Sequence, residues 1–234
     1  MADRDLTLQP RAEGVRESRP VVTPVHFTPQ EILAHYNESI DGIKRQFQVA
    51  KDLQSAGNED GGKTIWRSQV VLAEGLLDYF IHEVSKYCLF QMFTGQWDKT
   101  DKYGSFMVPL SKVEQAISTK DTAEWFFEFI NERLARDVFL SNECMRDQLN
   151  LIGVGYVPAM VKAFPRDKEE TSKKDGAMIV QELFRRRNEI AHQNDRSHAN
   201  AEQTDITEEY VIEYLGKIDS IVTAIIDIIM EKNT

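Results

Sequence analysis

The chain is short of several things, and each shortage excludes a class of protein. It has two cysteines, Cys88 and Cys144, in 234 residues. Two thiols cannot build a disulfide framework or a four-thiolate zinc site. Each reads as a small buried hydrophobe in a reducing compartment. No run reaches the roughly 18 apolar residues of a membrane span. The N-terminal stretch MADRDLTLQPRAEG lacks the apolar centre of a secretory signal. A cytoplasmic protein without a membrane partner is the expectation. There is no Walker A loop and no GxGxxG. Positive charge is scarce too: 28 Lys and Arg stand against 38 Asp and Glu, a net charge of −10. That excludes broad, nonspecific coating of DNA or anionic membrane. It leaves room for nucleic acid held in one locally basic groove.

Proline is scarce beyond the N-terminus. Four of the seven, Pro10, Pro20, Pro24 and Pro29, fall in the first 29 residues, and none follows Pro165. Residues 1 to about 27 are also charged and carry no apolar period, so they read as a flexible or loosely docked arm. Residues 28–234 read as a single domain, long enough to bury roughly 70% of the unfolded chain's surface. Thr28-Pro29-Gln30-Glu31 is a capping box with proline at the first helical position, and it predicts a helix to about Leu53. Residues 55–62, rich in glycine, predict a loop.

The apolar spacing of Val70, Leu77, Phe80, Ile81, Val84 and Cys88 predicts a long helix from about Thr64 to Phe93. Shorter helices are expected over 109–117, from Asp121-Thr122-Ala123-Glu124 through Phe139, from Ser141 to near Gly153, and up to Phe164. Residues 165–174 read as a polar loop. Two further helices are expected, over about Lys174–Ala191 and Thr207–Met230. The last carries Val211, Tyr214, Leu215, Ile218, Ile221, Val222, Ile225, Ile228 and Ile229 on one stripe. No segment alternates with period two for long, so the fold class is all-α, a helical bundle with long core helices and extra short ones.

One constellation suits chemistry: Arg185-Arg186-Arg187-Asn188-Glu189-Ile190-Ala191-His192, at the end of a predicted helix. It is the densest positive patch on an acidic chain. Arg187 shares its register with Val180, Phe184 and Ala191, so it is expected on the core-facing side, where a charge needs a partner or a wet cleft. Asn188 and His192 are four apart and share a face. Arg187 and His192 lie about 140° apart on an ideal helix. They converge only if the helix frays, if Arg187 curls round, or if a second subunit completes the site.

These residue types suit metal-free RNA cleavage. An imidazole titrating near neutrality can take or give the proton of a 2′-hydroxyl or a leaving 5′-oxygen. A guanidinium can bind the scissile phosphate and its added negative charge. An Asn amide can orient either group. Arg185 and Arg186 are expected to bind RNA beside the catalytic set Arg187, Asn188 and His192. Glu74 and Asp78, four apart with His82 next in the ladder, are candidates to line the same cleft and pair with Arg187. No metal and no cofactor is expected.

A shuffled chain of this composition shows Arg, four to six residues and then His about once. Requiring Arg-Asn, three residues and then His lowers that to about one match per hundred shuffles. In that form Phe184 to His192 resembles the signature of the HEPN superfamily of helical ribonucleases and RNA-binding modules, nearest the RiboL-PSP type. The lead-in Asp205-Ile206-Thr207-Glu208-Glu209-Tyr210 and the upstream Leu72–Tyr79 segment are similar as well. The resemblance spans roughly residues 30 to 231 and is specific at 184–192. It implies Arg187 and His192 as a catalytic pair, with Asn188 as the polar third member. It also implies a symmetric homodimer that joins two motifs in one cleft, and roles in stress, toxin–antitoxin or phage-defence systems with an antitoxin or defence-complex partner. In the branch paired with a minimal nucleotidyltransferase, a tyrosine two residues after the histidine is modified. Here that position is Asn194, which argues against neutralisation by adenylylation there.

Plainer readings stand beside these. A basic helix end can simply complement the helix dipole. A non-catalytic HEPN module would keep the cleft and bind RNA or nucleotide, or scaffold a complex. Glu74 and Asp78 could form a solvated stripe. Trp66, Trp97, Trp125, Phe126 and Phe127 read as core or dimer packing, and His26, His35 and His198 as surface residues. Glu189-x-x-His192 has the spacing of a di-iron ligand pair, but the second pair that such a site needs is missing.

Overall fold

The computed structural model describes residues 25–119 and 123–233. Among them are eight α-helices and no strand, only a single bridge between Arg196 and Gln203. The first helix, α1, runs Pro29–Ser55. It starts where the capping box places it: Thr28 Oγ accepts from the Glu31 N–H at 3.3 Å, and the Thr28 N–H donates to Glu31 Oε2 at 2.8 Å. Its buried residues Ile32, Tyr36, Ile40, Ile43 and Ala50 lie along one face.

The second helix, α2, runs Glu59–Phe93 and packs antiparallel to α1. It begins five residues before the predicted start. Asn58 Oδ1 caps the Gly61 N–H at 2.9 Å, so the expected loop shrinks to a tight turn through Gly57, whose φ is +80°. The two glycines read as loop residues belong to the helix. A Cβ on Gly62 would come within 2.5 Å of the Gln54 side chain and 3.0 Å of the Ala50 carbonyl oxygen. The close approach of α1 and α2 explains glycine there.

The remaining helices are α3 (Leu110–Thr119), α4 (Glu124–Leu134), α5 (Asn142–Leu151), α6 (Tyr156–Ala163), α7 (Glu169–Gln193) and α8 (Glu208–Lys232). The expected cap Asp121 lies outside the described residues. Helix α4 ends five residues short of the predicted Phe139. The chain then extends, burying Phe139 and Leu140 and donating the Phe139 N–H to Asp78 Oδ1 at 2.8 Å. Helix α7 starts five residues early, with Glu169 and Glu170 in the first turn, where the helix dipole favours carboxylates. Ser172 is buried there, and its Oγ accepts from the Arg166 N–H at 2.7 Å.

Helix α2 is the axis of the bundle. Its buried residues join those of α1, α4, α5, α6, α7 and α8 in one continuous apolar cluster. The stripe on α8 lies in that cluster, with Ile226 buried as well and Ile228 only partly so. Cys88 is buried as expected. Cys144 is exposed, which corrects its reading as a core residue. It stands in the first turn of α5, where its N–H is capped by Ser141 Oγ at 3.1 Å. Residues 26 and 27, assigned to the arm, make contacts. His26 stacks on Phe127 with ring centroids 3.7 Å apart and bonds Glu124 at 2.8 Å. No helix among the described residues is long and apolar enough to cross a membrane.

Candidate functional site

The arginine run sits on the last three turns of α7, and the helix stays regular through Gln193. It does not fray at His192. Asn194 ends it in the left-handed conformation at φ 51°, and Asp195 follows at φ 59°. Asn and Asp tolerate that region better than most residues. The Asp195 N–H returns to the Glu189 carbonyl at 2.9 Å. Residues 195–204 then fold into a small hairpin, with the Thr204 N–H on the Asp195 carbonyl at 2.8 Å.

That turn places Asp195 inside the protein, 1% exposed, between two guanidinium groups. Arg186 grips it with both terminal nitrogens, Nη2 reaching Oδ2 at 2.9 Å and Nη1 reaching Oδ1. Arg67, one turn before Val70 on α2, donates from Nε to Oδ2 at 2.7 Å and from Nη2 to the Thr204 carbonyl at 2.7 Å. Fork geometry of this kind is the strong form of a charge-assisted hydrogen bond. Arg186 is therefore 5% exposed, and its charge is committed. The register expected Arg187 to be the inward-facing arginine; the structure buries Arg186 more deeply.

Arg187 is half-buried. Its Nη1 donates to Asn188 Oδ1 at 2.9 Å, so the two expected partners are joined. Its Nε has no partner among the described residues. The charge that faces it is Glu74, on α2, which is 1% exposed and has an unpartnered Oε2. Burial pushes the Glu74 carboxyl up to about 7, against the downward pull of Tyr214 and of Arg187. Asp78 is engaged elsewhere: it holds the Phe139 N–H and lies 3.8 Å from His82.

Arg185 is exposed and pairs with Glu189 at 2.5 Å. Each arginine of the run thus has an acidic neighbour, Glu189, Asp195 or Glu74. The patch that is positive in sequence is largely neutralised in space. Among the described residues the exposed His192 ring makes no hydrogen bond or ion pair. One chain brings Arg187, Asn188 and Glu74 together and leaves His192 apart on the same helix end. Glu189 is held by Arg185, and among the described residues no three His, Cys, Asp or Glu side chains gather as metal ligands.

Sequence reading did not find Arg67 and Asp195. A signal existed for the first, because Arg67 continues the apolar stripe of Val70, Leu77 and Ile81 as a charge on a core face. For Asp195 there was none, since its burial follows from the left-handed turn. The family model described as RiboL-PSP-HEPN matches residues 31–231. No curated protein and no solved structure matches the chain.

Proposed function

The chain belongs to the RiboL-PSP-HEPN family, and on that premise we propose that it is a metal-independent endoribonuclease acting as a homodimer through residues 28–234. In this reading His192 removes the proton of a ribose 2′-hydroxyl. The 2′-oxygen attacks the adjacent phosphorus, the bond to the 5′-oxygen breaks, and a protonated imidazole supplies the proton to that leaving oxygen. The products are a 2′,3′-cyclic phosphate and a 5′-hydroxyl. Arg187 binds the phosphate, and Asn188 orients the guanidinium it is bonded to. Arg185 adds an exposed positive charge along the strand. Arg186, read from sequence as an RNA ligand, serves as a positioning residue through Asp195.

The observation that carries the reading is the contrast at the end of α7. Arg187 and Asn188 are fixed by a 2.9 Å bond beside a buried carboxylate, and an unengaged imidazole stands one turn on. Two copies would provide two imidazoles, one as base and one as acid, which a single chain lacks. A cytoplasmic role in stress, toxin–antitoxin or phage defence fits this activity, with an antitoxin or defence complex as partner. The test is cleavage of RNA in EDTA. Wild type should cut and His192→Ala should not; equal rates for the two would reject the assignment.

A second reading is favoured by one observation: Arg187 is bonded to Asn188 and interacts electrostatically with Glu74, with no bond to His192. A non-catalytic module that binds RNA or nucleotide, or scaffolds a complex, needs no convergence of the two. It predicts RNA binding that weakens in Arg187→Ala, with no cleavage by wild type.

A further inference from the structure

A cleft of about 840 Å³ opens between the 3₁₀ turn Tyr103–Ser105, the extended segment after α4, and α5. That volume falls within the roughly 300–1,000 Å³ of small-ligand sites. The catalytic assignment does not use it. Its lining includes Phe106, Arg136, Val138, Phe139, Cys144 and Gln148. Phe106 is half-buried, and its ring leans edgewise on Phe126 and Phe129. Val138 is an apolar side chain left 52% exposed at the cleft.

Two polar features single the cleft out. Gln148 is 6% exposed, and its Nε2 has no hydrogen-bond partner among the described residues. A buried amide left unpaired is costly, and a ligand atom of matching polarity removes the cost. Arg136 is exposed and has no carboxylate partner among the described residues. Its neighbours are paired, Arg133 with Asp137 at 2.9 Å and Lys102 with Asp147 at 3.0 Å. The cleft therefore combines an aromatic and aliphatic wall, one unpaired amide and one uncommitted cation with three carboxylates, of which Asp137 and Asp147 are paired with Arg133 and Lys102 and the exposed Glu143 lies 4.0 Å from Arg146.

The cleft is also tied to the turn of α2 beside the proposed catalytic site. The Phe139 N–H on its wall hangs from Asp78. Asp78 is four residues, about 6 Å along the axis, from Glu74, which interacts electrostatically with Arg187. Sequence-specific RNA recognition commonly takes an unstacked base onto an aromatic ring and bonds its edge.

We propose that this cleft holds an unstacked nucleobase of the RNA strand, its edge bonded to Gln148 and a neighbouring phosphate on Arg136. The identity of the ligand rests on the RNA reading above. The alternatives are a segment of a protein partner and a second copy of this chain; the uncommitted Arg136 and the link to Arg187 favour the nucleotide.

Cys144 makes the test possible in the unmodified chain. It lines the cleft and is exposed, whereas Cys88 is 0% exposed, so a neutral thiol reagent such as N-ethylmaleimide reports on Cys144. The probe is a 2′-O-methyl oligonucleotide of mixed sequence, which lacks the attacking hydroxyl. Saturating oligonucleotide should slow Cys144 alkylation by about tenfold as the base covers the cleft. Arg136→Ala should lower the log–log salt slope of oligonucleotide binding by about one. Gln148→Leu should fold and weaken protection. An unchanged Cys144 rate overturns the proposal, and so does a rate that falls with protein concentration without RNA, which marks a second copy. RNA cleavage with no protection of Cys144 would remove the cleft and leave the ribonuclease. Protection without cleavage would do the reverse.

Discussion

The Tyr214 hydroxyl stands 3.1 Å from Glu74 Oε1 and 2.8 Å from the Leu183 carbonyl oxygen. A phenol has one proton to give, so it serves the carboxyl and the carbonyl in turn. Burial pushes the Glu74 carboxyl up to about 7, against the hydrogen bond from Tyr214 and the charge of Arg187.

This has a consequence for stability. Between the ordinary glutamate value and about 7, folded Glu74 holds a proton that the unfolded chain has lost. The folded state binds more protons in that window, so stability falls as pH rises through it and levels off above. The loss amounts to about 3 kcal/mol. Glu74→Gln should therefore gain that much relative to wild type between pH 5 and pH 8, measured by urea unfolding at each pH. Parallel curves for the two proteins would mean that Glu74 is ionised throughout.

Removing Asp195 should be the most damaging of the polar changes. Asp195→Ala strands the buried Arg67 and leaves Arg186 only the more distant Glu189 at 3.7 Å, and breaking a buried pair typically costs about 3–5 kcal/mol. Arg185→Ala breaks only an exposed pair and should cost at most about 1 kcal/mol. Chemical denaturation of the two variants compares them directly, and similar losses would show that the buried triad is not a structural anchor.

His192 should be separable from folding. It is exposed and unbonded, and alanine is the better helix former. His192→Ala should change stability by no more than about 0.5 kcal/mol. A thermal melt by circular dichroism checks this, and a large drop would give His192 a structural role that its surroundings do not show.

Packing, not helix propensity, should decide the outcome at Gly176. Alanine in a helix normally gains up to about 1 kcal/mol over glycine. Here a Cβ would meet Met160 Cβ at 2.8 Å, across the contact between α6 and α7. Overpacking typically costs about 1–3 kcal/mol, so Gly176→Ala should lower the melting temperature. A rise would show that Met160 moves aside freely.

Local chemistry alone determined much of this protein. The Thr28 box starts α1, the apolar period lays α8 on the core, and Arg187-Asn188 with His192 marks the candidate site, because caps, helical period and near-neighbour spacing act over a few residues. Boundaries were legible less well. Helix α4 stops at Leu134 because Asp78, from another helix, takes the Phe139 N–H and draws the chain out. Gly61 and Gly62 join α2 because of how closely α1 approaches. The electrostatics of the site were decided by tertiary structure. Three adjacent arginines read as one basic patch, yet Arg185 pairs with Glu189, Arg186 chiefly with Asp195, and Arg187 faces the charge of Glu74. Asp195 reaches Arg186 through a left-handed turn and meets Arg67 from 128 positions away. Glu74 reaches Arg187 from α2. Charge sums over space rather than along the chain, so which arginine is buried, which is half free and which stays exposed depends on the packing of α2, α7 and α8.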